Sequence, residues 1–386
     1  MPALRFPGFE GEWERFEIGD VFELRNGYTP SKLNPAFWEN GTIPWFRMED
    51  IRANGGILSD AIQHVTTESV KASGLFPAFS ILLSTTATIG EHAMIIVDSL
   101  ANQRFTNLSV CKSLHDKFDS YFIYYMFFLI DKWCITHTNQ GGLLSVDIIG
   151  LRKLRFSAPT KPEQAKIAGF LRLVDERIAA QRGLIEDYKR LKAAIVEKLY
   201  DNNKEECFPI GDYIEQTSKR NGHCCSNVLS VSNRQGFICQ SEQFKDRTVA
   251  SEDTSNYKIV ERDDFAFNPA RINVGSIARL STFERGIVSP MYICFRTKDN
   301  LLPEYLEYYF ESKQFLTEIQ KRLEGSVRQC LSYEGLCNIP LCIPTIETQQ
   351  KIGKRLSCIS SNIGLEMDFL KLLQKQKQYL LSQMFI

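Results

Sequence analysis

"PTKPEQAKI", residues Pro159–Ile167, is written a second time as "PTIETQQKI" from Pro344 to Ile352, at an offset of 185 residues. Both copies open on proline and threonine and share glutamine, lysine and isoleucine at matching positions. Proline, acids and amides suit a helix's first turn, where a missing N–H is harmless and negative charge meets the positive dipole end. The motif predicts two long helices with a common start.

From each start, residues step alternately by four and three, as in a heptad seam. The first seam runs Ile167, Leu171, Val174, Ile178, Gln181, Ile185, Tyr188, Lys192, Ile195 and Leu199. The second runs Ile352, Leu356, Ile359, Ile363, Glu366, Leu370, Leu373, Lys377, Leu380 and Met384. About 37 residues at ~1.5 Å rise span roughly 55 Å. Polar residues share two slots, Gln181 with Glu366 and Lys192 with Lys377. Such residues cost stability but can fix register and orientation. Matched length, phase and polar slots predict that the helices pair with each other, antiparallel, rather than each packing only on its own domain.

The repeat reaches beyond the helices. Phe16–Asp20 (FEIGD) returns as Phe208–Asp212 (FPIGD), Tyr121, Tyr124 and Tyr125 match Tyr305, Tyr308 and Tyr309, and Gly150-Leu151 matches Gly335-Leu336. The chain therefore divides into a first globular domain (1–158), a first helix (159–202), a second globular domain (203–342) and a second helix (343–386). Short apolar runs at Ser80–Ser84, Ala93–Val97, Phe265–Phe267 and Met291–Phe295 read as strands, and 118–134 and 303–323 as one helix each. The expected fold class is α/β (α+β): two similar globular domains separated by two long antiparallel coiled-coil helices, with a pseudo-twofold internal repeat.

Length and composition agree with this plan. The 386 residues are enough for two domains with their own cores. Apolar content of 44% and charged content of 24% are ordinary globular values. Formal net charge is zero, so a nucleic-acid role must rest on local patches or on partners that add charge. The most apolar run, Tyr121–Ile130, is too short to span a bilayer, and no apolar leader opens the chain, so the expected location is the cytoplasm. The eleven cysteines then read as reduced thiols. His223-Cys224-Cys225 and Cys330, Cys337 and Cys342 lack paired C-x2-C spacing, so metal is not expected.

Loops rich in basic and amide side chains lie between the elements. Candidate contacts in the first domain are Arg25, Asn26, Tyr28, Thr29, Ser31, Lys32, Arg47, Asn102, Gln103, Arg104, Asn139 and Gln140. In the second they are Lys219, Arg220, Asn221, Asn233, Arg234, Asn268, Arg271, Asn273, Ser326 and Arg328. Arginine can pair with guanine and amides with adenine, while lysine and hydroxyls serve phosphates. Ordinary soluble surfaces carry the same residue types. Catalytic signatures are missing: there is no P-loop and no strand–G-x-G-x-x-G–helix unit, and the five histidines stand apart. Asn268-Pro269-Ala270-Arg271 resembles the N-P-P-Y loop of amino-methyltransferases but lacks its second proline and its aromatic.

The two helical copies, "FSAPTKPEQAKIAGFLRLVDERIAAQRGLIEDYKRLKAAIVEKL" (156–199) and "CIPTIETQQKIGKRLSCISSNIGLEMDFLKLLQKQKQYLLSQM" (342–384), resemble the conserved helices of the specificity (S) subunit of type I restriction–modification systems. Pro159, Glu163-Gln164, Ile167, Leu171, Asp175 and Ile178 fit the family pattern. The second copy departs from it at Thr348 and Ser360. Leu24–Ser31 (LRNGYTPS) is similar to the opening of one class of the family's target-recognition domains. The resemblance implies a non-catalytic subunit in which each globular domain reads half of a bipartite double-stranded DNA site. It implies that the helix pair sets the spacing and docks two modification (methyltransferase) subunits, which methylate adenine, with restriction subunits joining for cleavage. No cofactor belongs to this chain on that reading; S-adenosylmethionine and ATP with magnesium belong to the partners. Two other classes compete: a stand-alone adenine DNA methyltransferase, and a coiled-coil adaptor that binds only proteins.

Overall fold

Both long helices begin at the twin motifs. They run Lys161–Leu199 and Ile346–Met384, 39 residues each. The structure, a computed structural model, describes residues 2–139, 144–200, 206–222, 225–232, 236–240, 253–325 and 329–385. Two compact units emerge: Met1–Gln181 with Phe369–Ile386, and Arg182–Asp368. Each long helix thus contributes residues to both units.

In the first unit, five strands lie in the order Phe22–Asn26, Phe105–Val110, Ser80–Ser84, His92–Ile95 and Ile57–Leu58. The first four pair antiparallel and the last parallel. Ser80–Ser84 is buried along its whole length, as a central strand covered on both faces must be. One face carries Phe22, Ile81, Leu83, Met94 and Leu108 against Phe122, Phe127 and Ile130 of the helix Ser120–Thr136. The other carries Leu82, Ala93, Ile95 and Phe105 against Phe46, Met48 and Ile51. Asp119 caps the helix by accepting from the Phe122 N–H at 2.9 Å.

The second unit repeats the four antiparallel strands in the same order: Ile214–Thr217, Ile293–Thr297, Phe265–Phe267 and Ile277–Arg279. Here the single helix expected over 303–323 is two, Pro303–Tyr309 and Lys313–Arg322. Ser312 makes the break: its hydroxyl donates to the Tyr309 carbonyl at 2.7 Å and accepts from the Phe315 N–H at 3.1 Å. A side chain that supplies a turn and a cap in one place stops one helix and starts the next. The strand expected from Met291 begins two residues later, at Ile293.

The glutamine of each twin motif fixes its helix to the fold. Gln164, buried, accepts from the Asp119 N–H at 2.9 Å and donates to the carbonyls of Lys117 (3.0 Å) and Pro159 (2.8 Å). Gln349 accepts from the Leu302 N–H at 2.8 Å and donates to Asn300 (3.0 Å) and Pro344 (2.8 Å). Both glutamines satisfy the backbone just before their unit's aromatic helix. The residue before them differs because its job differs. Glu163 pairs with Arg5 through two oxygens at 2.7 and 2.8 Å, whereas the Thr348 hydroxyl meets the neighbouring Thr345 hydroxyl at 3.1 Å.

All twenty seam positions are buried or half-buried. Within the first unit the helices run antiparallel: Ile167 and Leu171 share a core with Leu380 and Met384, and Asp175 meets Lys377 at 2.6 Å. Within the second, Val196 shares a core with Ile352 and Leu356. The two polar lysines bind the globular parts. Lys377 lies 4.7 Å over the Phe128 ring, while Lys192 lies 4.9 Å over Tyr308 and pairs with Glu311 at 2.7 Å.

One expectation about the cysteines is corrected. Cys207 and Cys342 form a disulfide. The antiparallel pair Phe208↔Leu341 sets Cys207 opposite Cys342, a juxtaposition made by strand pairing over 135 residues. Among the described residues, no helix is long and apolar enough to cross a membrane, and no group of three or more His, Cys, Asp or Glu could hold a metal ion.

Replacing Gln349 by alanine would strand a buried N–H and two carbonyls. Gln349→Ala should destabilise the chain by about 2–4 kcal/mol, measured by chemical denaturation. The exposed neighbour substitution Thr348→Ala should change stability by less than about 0.5 kcal/mol.

Candidate nucleic-acid interface

The matched strand order brings the candidate loops of each unit to one end of its sheet. In the first unit that end is where Phe22–Asn26 finishes, Phe105–Val110 begins and Ser80–Ser84 turns into His92–Ile95. Gly27 N–H donates to the Phe105 carbonyl and Tyr28 N–H to Ala101, both at 2.8 Å. Gly27 must be glycine, because a Cβ there would lie 2.1 Å from the Asn102 carbonyl oxygen. The Thr29 hydroxyl donates to Gln103 Oε1 at 2.5 Å, and Asn102 N–H reaches the Phe46 carbonyl at 3.0 Å. Thus the loops of Asn26–Lys32, Arg47 and Asn102–Arg104 converge. The pair Thr138–Asn139 with Ser145–Val146 joins them through the Val146 N–H, which donates to Thr85 at 2.9 Å.

Within this group the side chains divide by role. Arg25 is turned inward, its guanidinium donating to the carbonyls of Ser73 and Leu75 and stacking 5.0 Å over Phe76. Tyr28 is also structural: its hydroxyl donates to the Ser69 carbonyl at 3.0 Å and the Lys71 ammonium covers its ring. Arg47 covers Trp45 at 5.9 Å and lies 3.9 Å from Glu49. Asn26, Ser31, Lys32, Gln103, Arg104 and Asn139 are exposed. Gln140 lies outside the described residues.

In the second unit, Lys219, Arg220, Arg271 and Asn273 are exposed. Arg220 is held by the Asn256 carbonyl at 2.5 Å. Two candidates are internal braces instead of contacts. Asn221, 1% exposed, holds both the N–H and the carbonyl of Cys225, at 2.8 and 2.9 Å. Asn268 caps the turn Pro269–Val274 by accepting from the Ala270 N–H at 3.1 Å. Amides of this kind close turns on nearby backbone groups. Asn233, Arg234, Ser326 and Arg328 lie outside the described residues.

Two loops that the sequence reading passed over belong to these faces. In the first unit the turn Thr85–Glu91 sits beside Arg104, whose carbonyl accepts from the Thr85 N–H at 3.0 Å. Its signal was available, since it occupies the place in strand order that Asn268–Ser276 occupies in the second. His92 anchors its far end, with Nδ1 2.6 Å from Asp131 and Nε2 3.0 Å from the Tyr124 carbonyl. Burial pushes the Asp131 carboxyl above the usual range, with His92 opposing. In the second unit Ser289–Tyr292 precedes the strand Ile293–Thr297, and Met291 is exposed there.

Two copies of one plan, each ending its sheet in a loop face of amides, hydroxyls and exposed basic groups, define a protein with two corresponding loop faces. Residues 10–189 and 238–375 match the family model described as the type I restriction modification DNA specificity domain. The chain belongs to that family. It is 49% identical over 160 residues to the type I restriction enzyme EcoprrI specificity subunit of Escherichia coli, covering 41% of this chain and 39% of that protein. It is 30% identical over 193 residues to the MjaIX specificity subunit of Methanocaldococcus jannaschii, covering 49% of this chain and 42% of that protein. The matched stretches thus span about two-fifths of these relatives' length. In fold, the chain is similar over its whole length to the crystal structure of a type I restriction–modification S subunit from M. genitalium, which it covers to 99% (TM-score 0.57, 16% identity). A second solved structure, reported for complex assembly and conformational transition of the type I R-M system, matches with a TM-score of 0.61 at 13% identity over 97% of each chain.

Gly27→Ala should separate the converging loops and destabilise the chain by about 1–3 kcal/mol, lowering the denaturant midpoint. Asn221→Ala should cost a similar amount, about 1–3 kcal/mol, by unpairing buried backbone groups. Lys219→Ala, at an exposed position of the same loop, should leave the midpoint unchanged.

Proposed function

We propose that this chain is the DNA-specificity subunit of a type I restriction–modification complex. Each unit reads one half of a bipartite double-stranded site with its loop face, and the paired long helices set the distance between the halves. The observation that carries this reading is the equivalence of the two faces: the same strand order delivers loops of polar and basic side chains to the same sheet end in both units. Membership of a DNA-specificity family supports it.

The helices also carry the docking surface for partners. Leu173, Leu365 and Leu372 lie off the seam and are 64%, 68% and 61% exposed. Exposed apolar side chains of this kind are suited to contacts with two modification subunits, which supply S-adenosylmethionine and methylate adenine, with restriction subunits contributing ATP and magnesium chemistry. Zero net charge is consistent with partners that make many of the phosphate contacts. Binding of labelled S-adenosylmethionine by the isolated chain would favour a self-contained methyltransferase. Loss of sequence-specific DNA retention by the assembled complex would favour a protein-only adaptor.

Inserting one heptad at matched points of both long helices keeps the seam in phase and adds about 10 Å of helix. The spacer between half-sites should lengthen by about three base pairs while the half-sites stay the same. Mapping methylated adenines in a host carrying the altered chain with its modification subunit reads the result directly.

A further inference from the structure

Of the three arginines nominated on the first face, two are engaged internally. Arg25 is bound to backbone carbonyls, and Arg47 is held over Trp45 beside Glu49. Arg104 differs. Its N–H donates to Asn102 Oδ1 at 3.0 Å, and its carbonyl accepts from the Thr85 N–H at 3.0 Å. Both backbone groups are therefore pinned, while the side chain is exposed and has no partner among the described residues. The second unit carries a comparable arginine at the same sheet end, in the loop that corresponds to Thr85–Glu91. Arg220 is tied to Asn256, but Arg271 has a pinned backbone and an exposed, unengaged guanidinium. Its N–H donates to the Asn268 carbonyl at 3.0 Å, and its own carbonyl accepts from Ser276 N–H at 3.2 Å.

A free guanidinium on a fixed backbone is a planar donor fork with little backbone entropy left to lose. Guanine offers two acceptors, O6 and N7, to such a fork in the major groove. Adenine puts a donor, N6–H2, where the second acceptor must be, so the same fork loses a bond and meets a like dipole. A phosphate would also accept the fork but would carry no sequence information.

Resting on the function proposed above, we propose that Arg104 and Arg271 are specificity-determining residues, each reading the acceptor edge of one guanine in its own half-site. The neighbouring amides and hydroxyls then complete each half-site around that guanine.

The test uses the full chain co-produced with its modification subunit and a random double-stranded DNA library, from which bound sequences are selected. The expected wild-type result is a bipartite site with a guanine in each half. Arg104→Ala should lose about 10- to 100-fold discrimination at one G·C pair of one half-site, leaving the other half and the spacer unchanged. Arg271→Ala should do the same in the opposite half. Arg104→Lys, which keeps the charge but not the fork, should also lose that discrimination.

Uniform weakening across sequences, with the salt dependence of binding falling by about one phosphate contact, would overturn the proposal in favour of backbone contacts. So would a half-site lacking guanine, a substitution that leaves discrimination intact, or full rescue by lysine. Failure of the wild-type complex to select any bipartite sequence removes the underlying functional reading and this proposal with it.

Discussion

One glutamine side chain in each unit does what no other contact repeats so closely. Gln164 and Gln349 each take a backbone N–H just before an aromatic helix, give one N–H bond to a carbonyl of that same loop and give the other to the proline carbonyl at the start of a long helix. A buried amide has two donors and an acceptor to satisfy, and these sites satisfy them from two separate backbone segments. The entry of each long helix is thereby locked to the loop that precedes its unit's aromatic helix. Everything further along the helix, including which residues face the seam, inherits that starting point.

The aromatic helices then take hold of the long helices a second time. Tyr125 donates to Asp175 at 2.8 Å, Lys377 bridges Asp175 and the Phe128 ring, and burial holds the Tyr125 phenol well above its ordinary range beside that carboxylate. Lys192, Glu311 and Tyr308 play the corresponding part in the second unit. Of the lysines placed in the seam slots, Lys192 joins its helix to the globular unit, whereas Lys377 joins its helix both to the other long helix, through Asp175, and to the globular unit, through Phe128. Their charge is half-buried and paired, which makes each joint specific as well as attractive.

The legible part of the fold is the part written locally. A four–three step is a property of neighbours in the chain, and every seam position found that way is buried or half-buried. The loop faces were half legible. Asn26, Lys32, Gln103, Arg104, Lys219 and Arg271 are exposed where sequence placed them. Asn221, Asn268 and Arg25 carry the same chemistry but point it at their own backbone, and residue type cannot distinguish an amide that reads a ligand from one that closes a turn. The Thr85–Glu91 turn went unnoticed because threonine and alanine give no basic or amide signal, although its place in the strand order marks it.

From its own letters the chain determined its duplication, the start and phase of both helices, and the pool of loop side chains open to recognition. Tertiary structure decided which of those side chains remain free, how strands 135 residues apart set Cys207 against Cys342, and which loops share a face. The reason is range. Helical periodicity follows from the geometry of residues three and four apart, whereas strand pairing and the fate of a loop amide are settled by backbone groups that the fold alone brings within hydrogen-bonding distance.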